Sequence, residues 1–136
     1  MKSVNKLFFA ITLIVCMSIS AFAAPPLSII QKAKGQVENA RYYLPAQAGY
    51  GLMLTQVDYD SKTYTMVYRY HYTMYAEKPS AAAIKEVKQG MIHLIKANPQ
   101  SDDMQFLQAG ITFHYNYYSE NGTFLYAVKI TPSDIK

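Results

Sequence analysis

The spacing of hydrophobic positions changes along this chain, and each change marks a new element. Residues 7–19 form a nearly continuous apolar run. After it, Ile30, Ala33, Val37, Ala40 and Leu44 recur at steps of three and four. That is the spacing of one helical face, so a first helix is predicted from about Ser28 to Tyr43, stopped by Pro45. Ser28 and Gln31 stand three residues apart, as the two members of a capping box do.

Beyond an expected loop at Pro45–Gly51 the pattern alternates every second residue. Leu52–Asp58 and Thr63–Tyr75 predict two strands about a turn at Asp60-Ser61-Lys62. In the second, Tyr64, Met66, Tyr68, Tyr70, Tyr72 and Met74 share the face expected to be buried. Helical spacing returns at Ala81–Ala97, with Ser80 as cap, Asn98-Pro99 as stop, and Ile84, Val87, Met91, Leu94 and Ile95 as apolar stripe. A short helical turn follows from Ser101, where Asp102 and Asp103 suit the positive end of the helix dipole. Gly110 closes it, and Met104 and Leu107 should point inward. Ile111–Tyr118 and Thr123–Thr131 are the last predicted strands, joined through Asn121-Gly122, a hairpin signal, and ended by Pro132.

These elements predict an α+β fold of two layers. Four antiparallel strands carry two helices on one face, in the order αββαββ. A strand of thirteen residues extends about 40 Å, whereas a helix of seventeen covers about 25 Å. Part of the Tyr-Met face of strand two is therefore expected to overhang, and to need a loop, a second copy of the chain or a ligand to cover it.

Composition changes the picture chiefly at the N-terminus. Lys2 and Lys6, the apolar run and Ala21-Phe22-Ala23 have the form of a cleaved signal peptide, so residues 1–23 are expected to leave and residues 24–136 to form a single domain, exported to the periplasm or secreted. Two alternatives keep the chain at a membrane: an uncleaved anchor, or lipidation of Cys16, although Val15 is not the small residue that lipidation prefers before the cysteine. Cleavage would remove the only cysteine and two of 13 basic residues, leaving 11 against 9 acidic ones, a net charge of +2 instead of +4. Thiol chemistry and cysteine-bound metals are then excluded. Nucleic-acid binding is not expected, because the lysines and arginines are dispersed.

Tyrosine is the compositional anomaly: there are 13, with no tryptophan, and all lie beyond Ala23. Rings with a polar tip suit both a thin core and a contact surface. On the predicted outer sheet face, which the helices leave open, Arg69, His71, Tyr75, His114, Asn116, Tyr118 and Lys129 form the candidate binding surface. His71 and His114 alone do not make a metal site, so no metal and no cofactor are expected. No Gly-x-Ser-x-Gly elbow, P-loop or dinucleotide fingerprint occurs, and no catalytic residue is assigned.

The second half, with its helix ending at Asn98-Pro99, Gly110-Ile111, the aromatic hairpin and Ile130-Thr131-Pro132-Ser133-Asp134-Ile135, resembles small exported bacterial proteins of unknown function over residues 45–136. The resemblance implies a secreted or periplasmic domain and carries no catalytic residue across. The leading expectation is a non-enzymatic module that binds an unidentified protein partner or associates as a homodimer. A small-ligand or glycan binder using surface tyrosines and a small hydrolase or metal-dependent enzyme are the alternatives.

Overall fold

A computed structural model of the protein describes residues 23–136. The predicted leader through Phe22, Cys16 included, lies outside the described residues. The elements run in the order α1 (Leu27–Arg41), β1 (Ala46–Gly49), β2 (Leu52–Asp60), β3 (Thr65–Tyr72), α2 (Ala81–Ala97), α3 (Asp102–Ala109), β4 (Thr112–Tyr118), β5 (Phe124–Ile130) and a final 3-10 turn, Pro132–Ile135. Among the described residues, no helix is long and apolar enough to cross a membrane.

The sheet corrects the expected fold. Among the described residues it has five strands in the order β1-β2-β3-β4-β5, and it is mixed, because β3 and β4 run parallel. Each predicted hairpin exists, β2 with β3 and β4 with β5. What joins them is a crossover through α2 and α3, which carries the chain back to the end of the sheet where β3 began; strand pairs joined in that way are parallel. The additional strand, β1, lies within the expected loop. It has four residues and pairs with Leu52–Leu54, and Ala46-Gln47-Ala48-Gly49 carries no hydrophobic alternation to announce it.

The strand expected at Thr63–Tyr75 is eight residues long. Tyr64 takes a positive φ of 51°, which breaks the extended run before Thr65, while Met74 and Tyr75 lie beyond the ladder. The overhang argued from thirteen residues is correspondingly reduced. In α1 the expected Ser28 cap is absent: Pro26 occupies the cap position and makes no side-chain cap bond. Ser80 and Ser101 do cap α2 and α3, accepting from the amides of Ala83 and Met104 at 3.1 Å.

The inner sheet face carries Met66, Phe113, Tyr117, Tyr126, Val128 and Ile130, all buried. Ala33 and Val37 of α1, Ile95 of α2 and Met104, Phe106 and Leu107 of α3 pack against it. Helix α1 lies against β2, α2 against β5, and α3 touches both helices and the start of β4. Lys32 and Gln36 of α1 anchor α3 by bonding the Asp102 carboxylate at 2.8 and 2.7 Å. The α2 stripe is rotated slightly from its expected position. Ile92 joins Ile84, Met91 and Ile95 on the core, whereas Val87 and Leu94 are exposed.

Candidate functional site

With α1 resting on β2 and α2 on β5, the inner faces of β3 and β4 lie between the two helices. Strand alternation places Tyr68, Tyr70 and Tyr72 on that face of β3 and Tyr115 and Tyr117 on that face of β4. Parallel register aligns Tyr68 with Tyr115 and Tyr70 with Tyr117. The rings stack along these rows at 4.9 Å for Tyr68–Tyr115, 5.2 Å for Tyr70–Tyr117 and 4.4 Å for Tyr117–Tyr126. Tyr72 and Tyr126 join their hydroxyls at 3.0 Å across the row.

The middle of the sheet is therefore a floor of rings, half-buried at Tyr68, Tyr70, Tyr72 and Tyr115. Its polarity lies at the hydroxyl tips. Among the described residues only the Tyr59 hydroxyl is both sealed from solvent and without a partner. The hydroxyls of Tyr70, Tyr115 and Tyr117 bond no group among the described residues, which leaves their hydrogen-bonding capacity for an incoming group. Burial pushes the phenols of Tyr68, Tyr70, Tyr115, Tyr117 and Tyr126 above their ordinary range, and the Tyr72 hydroxyl adds to the shift of Tyr126. They are neutral hydrogen-bonding groups, not bases. Asp103, at the edge of the cluster, is itself pushed up, first by loss of water and then by Asp102 beside it.

The rim of this gap is apolar. Parallel crossovers are right-handed in nearly every case, and a crossover of that hand would turn the α2 flank bearing Val87 and Leu94 toward α1. Leu94 is 71% exposed, and Met74, 48% exposed, follows the end of β3.

The outer face brings some of the expected binding residues together. Arg69, His71 and Tyr118 form a cluster: the guanidinium lies 4.6 Å from the Tyr118 ring centre, and the imidazole stacks on the same ring at 5.2 Å. Thr55, the additional residue at a bulge in β2, bonds Nδ1 of His71 at 2.9 Å. Phe124 meets Tyr118 edge-on at 5.6 Å, a residue missed in the alternation because a second bulge shifts it. Asn116 donates to the Tyr68 carbonyl at 3.4 Å. His114 and Lys129 are direct cross-strand neighbours. Desolvation, helped by the Lys129 charge, holds the His114 imidazole below its ordinary value. Tyr75 does not join them: it stands 74% exposed beyond β3 and donates to Glu77.

His71 pairs with Tyr118 and His114 with Val67, so the two imidazoles sit four positions apart along the sheet, about 13 Å at 3.3 Å per residue. No group of three or more potential metal ligands gathers among the described residues. Two surface depressions, one lined by Glu38, Arg41 and Tyr42 and the other by Leu107, Gln108, Pro132, Ile135 and Lys136, bring no set of convergent catalytic groups together.

A mixed five-stranded sheet carrying its helices on one face defines the class of protein. Residues 29–126 match a family described as a domain of unknown function, DUF8479, and the chain belongs to that family. No curated protein sequence matches it. Solved structures share the fold. The type II secretion system pilotin AspS from Vibrio cholerae superposes with a TM-score of 0.55 at 16% identity, covering 79% of this chain and 92% of that one. The type 2 secretion system pilotin EpsS from Vibrio vulnificus gives 0.60 at 11% identity, covering 80% and 93%. PA3611 of Pseudomonas aeruginosa gives 0.59 at 7% identity, covering 80% and 94%.

Proposed function

We propose that this protein is an exported, non-enzymatic module of the bacterial envelope that holds an apolar segment of a partner protein in the tyrosine-floored gap between α1 and α2. The observation that carries the reading is the row of aligned rings on β3 and β4, in which the hydroxyls of Tyr70, Tyr115 and Tyr117 bond no described residue. Rigid aromatic surfaces with polar tips bind apolar side chains while still satisfying backbone groups. The exposed Val87, Leu94 and Met74 extend this surface along its rim. Two of the proteins that share the fold are secretion-system pilotins, which supports a partner-binding role in the envelope. A signal peptide over residues 1–23 and a single domain over 24–136 belong to the same proposal.

Photo-crosslinking in the producing cell tests it. A crosslinking residue at Leu94 should trap a discrete partner band, and one at Lys85, on the opposite flank of α2, should not. Identical bands from the two positions, or none from Leu94, would remove the gap as the binding surface. Leu94→Glu alters only an exposed position and should abolish the band while the protein stays folded.

A further inference from the structure

The opposite face of the sheet, which bears no helix among the described residues, has an order of its own. Register places Asp58, Val67, His114 and Lys129 side by side in a single row across β2, β3, β4 and β5. The next row is Gln56, Arg69, Asn116 and Ala127. The row beyond is Met53, His71, Tyr118 and Phe124, the last brought onto this face by the β5 bulge. Thus the acid stands at one side of the face and the lysine at the other, while an apolar residue occupies each end of the third row.

A two-fold axis parallel to the strands makes this arrangement self-complementary. An axis parallel to the strands, between β3 and β4, lays β2 of one copy over β5 of the other and leaves each row facing itself in reverse. Asp58 then faces Lys129, Met53 faces Phe124, Gln56 faces Ala127 and His71 faces Tyr118, each pair occurring twice. An in-plane axis across the strands would instead lay β2 on β2 and β5 on β5: along the first row it sets acid against acid and lysine against lysine, and along the middle row it sets Asp58 against Met53 and Lys129 against Phe124, so no acid meets a base. The charges select the first, and the nearly aligned strands it produces are the ordinary geometry of packed sheets.

We infer that the outer sheet face docks a second copy of this chain, forming an isologous homodimer with a paired Asp58–Lys129 contact at each side. Arg69, Gln56 and Lys129 are exposed in the single chain, and Phe124 is 52% exposed, so the face is open to a partner. At a sheet separation of about 10 Å, a lysine and an aspartate reach each other from opposite faces. Asp58 also bonds Arg41 and Gln56 within its own chain, which fixes its carboxylate at the rim. Four strands by seven residues give a footprint of about 440 Å² per copy. That is the size of a weak, reversible contact.

Sedimentation of purified residues 24–136 over a series from micromolar to millimolar tests the inference. A monomer–dimer equilibrium is expected, with Lys129→Glu weakening it by about tenfold or more and added salt acting in the same direction. Combining Asp58→Lys with Lys129→Asp should restore association lost in either single variant. Ala127→Arg, which adds bulk to this face without touching the inner one, should be monomeric, and circular dichroism checks that every variant is folded. A wild-type chain that stays monomeric to the top of the series, or a dimer whose constant is unchanged in Lys129→Glu, overturns the inference. Because the tyrosine gap lies on the other face, either result is separate from crosslinking at Leu94.

Discussion

Phe113 and Phe124 show how much position matters within one hairpin. Phe113 is fully buried beneath the helices, whereas half of Phe124 is in solvent on the outer face. Phe113→Ala should cost about 3–5 kcal/mol, the ordinary cost of emptying a core aromatic site. Phe124→Ala should cost less than about 1 kcal/mol, as surface changes do; chemical denaturation of both variants checks the contrast. His114 offers a second test at this scale. Its folded pKa is held down by desolvation and by Lys129, so its neutral form is favoured in the fold. The associated stability is present above the ordinary imidazole range and declines as pH falls through that range toward the lowered value. An NMR titration should show Lys129→Gln moving His114 upward, and an unchanged midpoint would mean that burial alone sets it.

The helices divide into those with side-chain caps and one without. Ser80 and Ser101 each satisfy an amide of the first turn, and each substitution to alanine should cost about 1 kcal/mol, seen as a lower urea midpoint with an unchanged slope. Ser28→Ala should have little effect, because Ser28 does not hold the cap position of α1. These caps also show what local reading captures. The bounds of α2, Ala81–Ala97, follow from Ser80, the helical spacing and Asn98-Pro99, all local signals. The rotation that buries Ile92 and exposes Leu94 does not, since it depends on where α3 and β5 lie. In the same way, Asn121-Gly122 marked a hairpin, but the bulge that brings Phe124 beside Tyr118 arises only when β5 pairs with β4.

Across the whole molecule, the tyrosines connect stability with the proposed site. The phenols of Tyr68, Tyr115, Tyr117 and Tyr126 are raised by burial. Their contribution to stability is intact below the ordinary tyrosine pKa of about 10 and is lost as pH rises from there through the folded values. In a spectrophotometric titration, one group of phenolates should therefore appear only with loss of the near-ultraviolet dichroism. Full ionisation of all tyrosines in a folded chain would contradict the stacked, half-buried floor. By itself the sequence determined the helices, the two hairpins, the alternation that separates Tyr70 from Arg69, and the lack of a catalytic motif, because all of these depend on neighbours a few residues apart. The tertiary structure alone decided that β3 and β4 run parallel, that β1 adds a fifth strand, and that the central tyrosines lie in a gap between helices instead of under them. Those outcomes depend on packing between distant segments, and no local period of polar and apolar residues specifies which strand edge or which helix flank will meet.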